Sequence, residues 1–533
     1  MNMAGAIAGA LGEAGIRRVY GLPGGENVEV LEALRRIGMD FVLVHNESSA
    51  LYMAAAAARL ESRPGVCLTT LGPGLANAIA GLGHAWLDRA PLLLLTAQAP
   101  EALAGRHTHQ VIDQQALTRP LTKAAHALRP GEDAAGIVLE LLRAAFGGRP
   151  GPVHLQVSRS VAAAPAPSPG SSQGFSLPLA TAPDLKDLEG ARSLWRAARR
   201  PLVLAGLGVD LQGCQAELTA LAEAGQAPVI VTPKAKGVIA GMHPLAAGAI
   251  GLTRSDPVYE LLEEADCLLA VGFDVVELVR PWEVAAPLIW LAPWDNEDPP
   301  LSAAASFTGD MAPVLRQLTQ VPANAEGAWG AARVARLRET LAQRRFPVPE
   351  KGRMSPRELL AALRRAAPPD TPLAVDVGSH KILASLEWPD ARPRRFFLSN
   401  GLSCMGYGLP AAIGASLALG CAPALCITGD AGMAMVTGEL ELVTRLGAPV
   451  VTIVMNDGAL DLIRLAQVRA GAPAWGTEFG NPDFARIAAA YGIPALRSGD
   501  LEACETAVRE ALGAGQALLV DALIDPAGYG LPG

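Results

Sequence analysis

The sequence predicts an α/β protein made of three doubly wound parallel-sheet units, an expectation carried by three observations. Short apolar runs alternate with helical stretches through residues 1–165, as expected of parallel strands joined by crossover helices. Ala162 to Ala182 is rich in Pro, Ser, Gly and Ala and reads as a linker, after which the alternation resumes. Near the C-terminus, ALCITGDAGMAMVTGELELVTRLGAPVVTIVMNDGAL reads as strand, tight turn, helix and strand, with an acid at each strand's carboxyl end. The units are expected at residues 1–165, 183–330 and 355–528.

The elements follow in order. MNMAGAIAGALGEAG reads as a first helix and not a leader, since no basic region precedes a long apolar run. Strands are expected at Arg17 to Gly21, Phe41 to Val44, Val66 to Thr70, Pro91 to Thr96 and Val153 to Val157. Ser48 to Arg59 is alanine-rich and reads as a helix with Ser48 as its cap. The second unit has strands near Pro201 to Ala205, Val229 to Thr232, Cys267 to Val271 and Leu288 to Leu291, and the charged helix Ala331 to Arg345 carries the chain onward. In the third unit Ala424 to Thr428 is a strand closed by Gly429. Thr437 to Leu446 has helical spacing, Gly447-Ala448-Pro449 stops it, and Val450 to Met455 is the next strand. The first and third units read as variants of one architecture.

Composition narrows the function. A chain of 533 residues holds ample core for two to four domains. Its net charge of -8 is spread over interspersed acids and bases, so no nucleic-acid surface is expected. Seven scattered cysteines show no CxxC pair or metal spacing, which suits reduced thiols in the cytoplasm. No apolar run approaches the roughly 20 residues that span a membrane.

Two constellations carry chemistry. In a parallel sheet the strand ends emerge at one edge, where ligands bind. Asp430 follows Gly429 at the end of one strand, and Asp457 follows Asn456 at the end of the next. Two hard oxygen ligands there suit Mg2+ carrying a diphosphate. In the first unit, His45-Asn46-Glu47 ends a strand, which makes Glu47 a candidate acid with a raised pKa if it faces a crevice.

The stretch from Gly429-Asp430 to Asn456-Asp457 resembles the motif of thiamine-diphosphate (ThDP) enzymes, which runs from GDG to NN. Two departures show: Ala431 replaces a glycine, and Asp457 an asparagine. VYGLPGGENVEVLEAL, HNESSALYMAAAAARL and TTLGPGLANAIAGLGHAWLDRAPLLLLTA resemble the amino-terminal domain of the acetolactate-synthase group. VDVGSHK, SNGLSCMGYGLPAAIGA and TEFGNPDFARIAAAYG resemble its carboxyl-terminal domain. The resemblance covers nearly the whole chain in the family's order.

It implies three domains of the ThDP-binding fold: pyrimidine, middle and diphosphate. The metal would be held by Asp430, Asp457 and the main-chain carbonyl of Ala459. Gly378, Ser379 and His380 would cradle the diphosphate beside Gly429, with main-chain N–H groups at Gly432 and Met433. Met405 would wedge the two cofactor rings, and the Ser403 carbonyl would accept from the exocyclic amine. Glu47 falls on the group's catalytic glutamate, which exchanges a proton with the aminopyrimidine so that the thiazolium carbon can be deprotonated.

The resemblance implies a substrate class as well. Arg106-His-Thr-His-Gln110 resembles a segment of catabolic acetolactate synthases. There Gln110 would steer the keto-acid carbonyl, with His109 and then His107 ranked behind it. Glu26 stands where those enzymes tend to have lysine, and Ala466 where anabolic relatives have tryptophan. The GxRFDDR-like segment of flavin-bearing relatives is replaced by Gly272-Phe-Asp-Val-Val-Glu-Leu278, so FAD is not expected. The implied activity is decarboxylation of a 2-oxo acid, pyruvate first, with carboligation to a second. A non-ligating decarboxylase and a noncatalytic ThDP-fold binding protein are the alternatives. A homodimer or homotetramer with sites between subunits is implied.

Overall fold

The computed structural model describes residues 1–99, 103, 106, 108–167, 174–250, 257–278, 284–297, 301–389, 392–480 and 482–530. Each of its three sheets has six strands, all parallel. The first contains β1 (Arg18–Leu22), β2 (Asp40–Leu43), β3 (Gly65–Thr69), β4 (Leu92–Gln98), β5 (Ala125–Ala127) and β6 (Val153–Ser158), ordered β2-β1-β3-β4-β6-β5. The middle sheet contains β7 (Pro201–Ala205), β8 (Val229–Val231), β9 (Ala246–Ala249), β10 (Cys267–Val271), β11 (Leu288–Ala292) and β12 (Ala305–Thr308), ordered β12-β11-β10-β7-β8-β9. The third contains β13 (Leu373–Val375), β14 (Phe396–Leu398), β15 (Ala424–Gly429), β16 (Val450–Asn456), β17 (Ala495–Ser498) and β18 (Leu518–Leu523), ordered β14-β13-β15-β16-β18-β17.

The first and third sheets have the same order, strand for strand. The middle sheet differs: its chain turns back between β7 and β10, the arrangement of dinucleotide-binding folds. One apolar core is shared by the outer units and runs from Tyr20 and Leu51 through Phe397 and Ile413 to Val454. The helix Glu47–Glu61 packs there on the helix Gly408–Ala418 closely enough that a Cβ at Gly414 would strike the backbone of Met53. Alanines along both helices permit this approach.

Two expected helices are corrected. The helix after β2 begins at Glu47, and its cap is Asn46, whose Oδ1 accepts the Ser48 N–H at 2.9 Å. Ser48 lies inside the helix, and its hydroxyl is used elsewhere, donating to the Asn77 carbonyl and accepting the Gly81 N–H. The helix expected over Thr437 to Leu446 is split. A helix starts at once after β15, Asp430–Met435, and a 3-10 turn at Thr437–Glu439 precedes Leu440–Arg445. The linker is partly docked. Met3 N–H donates to the Ala164 carbonyl, and Asp310 N–H to that of Thr181; residues 168–173 lie outside the described residues. All seven cysteines are unpaired. No helix among the described residues is long and apolar enough to cross a membrane.

Candidate active site

Gly429 ends β15 and Asp430 opens the following helix, while Asp457 follows β16, the neighbouring strand. Parallel register brings the two acids together. The N–H groups of Asp457 and Gly458 donate to Asp430 Oδ2 at 3.1 and 2.6 Å, and the Ala431 N–H donates to Oδ1 at 2.7 Å. Asp457 Oδ1 accepts from the Ala459 N–H at 3.2 Å. Burial pushes the Asp457 carboxyl up to about 7, with Asp430 and Asp461 adding repulsion. Burial raises Asp430 as well, against three main-chain donors. A divalent cation would relieve this repulsion. No group of three or more His, Cys, Asp or Glu side chains is placed to hold a metal among the described residues. A cation here would therefore rest on two carboxylates, main-chain oxygen and ligand oxygens, as Mg2+ commonly does.

The anion cradle lies beside these acids. Gly378 precedes the helix Ser379–Glu387, and the His380 ring lies against Gly378 and Gly429, where added Cβ atoms would come within 2.5 and 3.0 Å of its Cε1. His380 is buried, and its Nε2 has no partner among the described residues. Burial, then Lys381, lowers its pKa to about 3, so the ring is neutral near pH 7. The Ser379 hydroxyl donates to Asp461 at 3.2 Å. Gly432 and Met433 are buried in the turn after Asp430, where a Cβ on Gly432 would lie 2.5 Å from Asp376 Oδ2. An imidazole nitrogen without a partner among the described residues, set against Gly378 and Gly429, fits a diphosphate.

Ser403 and Met405 lie on the loop before the helix Gly408–Ala418. Ser403 has φ +56°, unusual for a residue with a side chain. The loop follows the helix Pro73–Leu87, with Leu402 against Gly83 and Cys404 Sγ 3.6 Å from the Ala80 carbonyl.

Glu47 is 3% exposed. Its Oε2 accepts from Asn77 Nδ2 at 3.1 Å. Gln110, at φ +60°, rests its carbonyl on Gly72, at the start of the same Pro73–Leu87 helix, and His109 is exposed. His107 lies outside the described residues. The first-unit and third-unit sets thus each assemble at a sheet's carboxyl edge, and the polar contact of Glu47 is with its own unit. A cavity of about 680 Å3 lies elsewhere, where all three units meet, lined in part by Asp88, Lys234, Trp294 and Phe397.

Sequence reading missed several buried organisers. Asp376, fully buried after β13, accepts from the N–H groups of Val377, Gly406 and Tyr407 at 2.7, 3.0 and 3.2 Å and from the Thr428 hydroxyl at 2.9 Å. Its signal was present, an acid just after an apolar run, as at Asp430. Glu439 accepts from the N–H groups of His45 and Asn46 at 3.3 and 3.0 Å, fixing the turn that carries Glu47.

Three family models match in order: the N-terminal thiamine-pyrophosphate-binding domain at residues 1–117, the central domain at 188–318 and the C-terminal thiamine-pyrophosphate-binding domain at 376–522. The chain belongs to the thiamine pyrophosphate enzyme family. Similar proteins include an acetolactate synthase of Arthrospira platensis, 31% identical over 92% of this chain and 88% of that one. The large subunit of acetolactate synthase isozyme 3 of Escherichia coli is 28% identical over 95% and 91%. A protein named as a probable 2-ketoarginine decarboxylase of Pseudomonas aeruginosa is 31% identical over 97% and 93%. Within the family this chain is an acetolactate synthase-like, ThDP-dependent enzyme.

Proposed function

We propose that the enzyme decarboxylates pyruvate and joins the resulting two-carbon unit to a second 2-oxo acid, using ThDP and Mg2+. The observation that carries the reading is the pairing of Asp430 and Asp457 near His380, a neutral imidazole whose Nε2 has no partner among the described residues, against Gly378 and Gly429. In this reading unit 355–528 holds the diphosphate and metal, unit 1–165 the pyrimidine end, and unit 183–330 lies between them in sequence. Asp430, Asp457 and the Ala459 carbonyl hold Mg2+. Gly378, Ser379, His380, Gly429, Gly432 and Met433 receive the diphosphate. Met405 would pack against the cofactor's rings, and the Ser403 carbonyl would accept from its amine. ThDP supplies a nucleophilic carbon and an electron sink. Glu47 holds and returns a proton at its carboxylate, screened from water by burial. Gln110 orients the substrate carbonyl, with His109 at the rim. Seven unpaired cysteines support a cytoplasmic setting.

Incubation with pyruvate, ThDP and Mg2+, with acetolactate and acetaldehyde measured separately, tests this. Acetolactate is the expected main product. Acetaldehyde alone would transfer the assignment to a second reading, a decarboxylase that releases an aldehyde. One observation favours that alternative: Glu26 lies beside the first-unit face, where its Oε2 accepts the Thr70 hydroxyl at 3.2 Å, and an acid there disfavours a carboxylate-bearing acceptor. Failure of the wild-type protein to bind ThDP would point instead to a noncatalytic fold.

No flavin is expected in the purified protein, on grounds beyond the altered segment. A dinucleotide's phosphates would sit at the turn after β7. That turn already holds the Glu277 carboxylate, which accepts the Leu207 N–H at 3.0 and 3.2 Å and the Thr232 hydroxyl at 2.5 Å. A Cβ at Gly206 would also strike the Phe273 backbone. The protein should show no flavin absorbance and keep its activity without added FAD. Stoichiometric FAD released on denaturation would overturn this.

A further inference from the structure

We infer that Asp88, of the first unit, is a positioning residue that fixes the loop Ser399–Met405 on which the cofactor's aminopyrimidine would rest. The inference builds on the ThDP-dependent reading of the site. Asp88 caps the C-terminal end of the helix Pro73–Leu87 and is buried. Four donors from all three units converge on its two oxygens. Lys234 Nζ, from the turn after β8, donates to Oδ1 at 2.8 Å. The Asn400 N–H donates to Oδ1 at 3.0 Å and the Gly401 N–H to Oδ2 at 3.1 Å. His84 Nδ1 lies 3.1 Å from Oδ2. A carboxylate has about four acceptor sites, and all are engaged.

The hold extends along the loop. His84 Nδ1 also lies 3.0 Å from Ser399 Oγ, which accepts the Cys404 N–H at 3.1 Å. Lys381, on the helix after Gly378, donates to the Ser399 carbonyl at 3.1 Å and the Ser403 hydroxyl at 2.9 Å. The Asn400 amide donates to the Glu277 carbonyl at 2.9 Å. This network secures Ser403 in its left-handed conformation, which a serine keeps only where its surroundings dictate it. Burial alone would raise the Asp88 pKa, yet facing Lys234 and His84 hold it well below the ordinary carboxylate range. The carboxylate is therefore charged throughout the working pH range. Asp88 meets neither the metal acids nor the glycine cradle. It holds Asn400 and Gly401, the start of the loop that carries Ser403 and Met405.

Two variants of the full-length protein test this: Asp88→Asn, and Asp88→Asn combined with Lys234→Met, which removes the cation left without a counter-charge. Three quantities are read by calorimetry and dichroism: the Kd of ThDP with Mg2+, the Kd of inorganic diphosphate with Mg2+, and the near-ultraviolet dichroism of bound ThDP. Both variants should bind ThDP about tenfold more weakly, roughly 1.4 kcal/mol, and lose the dichroism of the seated pyrimidine. Diphosphate binding should stay at the wild-type value. The double variant, which lacks the Lys234 ammonium as well as the Asp88 charge, keeps the test valid if the single variant does not fold. Wild-type ThDP affinity and dichroism in the double variant, or equal weakening of ThDP and diphosphate, would overturn the inference. Wild-type protein that binds no ThDP would overturn the ThDP-dependent reading itself.

Discussion

Glu47→Gln is expected to lower kcat by on the order of 10²- to 10⁴-fold, the range that general acid–base groups supply, while ThDP still binds within a few-fold of wild type. Glu47 is buried, its Oε2 receives the Asn77 amide, and its backbone is fixed by the Asn46 cap and by Glu439 behind it. Glutamine has the same length and keeps an oxygen for Asn77, so the helix and its packing should survive. It lacks only the ability to take up and release a proton. Steady-state kinetics measured beside calorimetric ThDP titration separate the two effects. A kcat near wild type would remove Glu47 from the chemistry. Loss of ThDP binding in step with kcat would instead make it a structural residue.

Sequence alone revealed the parts of this protein that are local. Pro201–Ala205 and Cys267–Val271 match their expected bounds because each is a central apolar run closed by a glycine or a change in polarity. Short edge strands such as Ala125–Ala127 and Ala246–Ala249 carried little signal, being three or four residues of mostly Ala, Gly or His. Asp430, Asp457 and Glu47 were visible since each ends an apolar run in a recognisable motif. The groups that hold those residues in place were not. Lys234 meets Asp88 across 146 residues of chain, and Glu439 meets Asn46 across 393. No local periodicity encodes such pairs. The Asn46 cap shows a subtler limit, because Asn46 and Ser48 are both good cap residues, and the helix begins one residue before Ser48, whose hydroxyl bonds to the neighbouring helix instead.

Co-expression of Glu47→Gln chains with Asp430→Ala chains, each inactive alone, is expected to restore activity. Asp430→Ala removes a carboxylate proposed to hold Mg2+ and should abolish Mg2+-dependent ThDP binding at its own site. Glu47 and Gln110 stand at the carboxyl edge of the first sheet, and Met405, Asp430 and Asp457 belong to the third unit. Within one chain, the third-unit acid that reaches the turn before Glu47 is Glu439, not Asp430. The third-unit site is also bordered by apolar side chains open to solvent: Met435 is 61% exposed, Ile463 54% and Val468 55%. Apolar surface beside a site of this kind suits coverage by another protein surface. A two-fold dimer would supply it, setting the first unit of each chain against the third unit of its partner and forming two equivalent sites from one self-complementary interface. In a mixed dimer one site then carries both substitutions and the other neither. With random pairing about half of the dimers are mixed, and each contributes one intact site, so roughly a quarter of wild-type activity should return. Differently tagged chains purified in tandem isolate the mixed species, which should approach half of wild type per dimer. Verified mixed dimers without activity would show that Glu47 and Asp430 act within one chain.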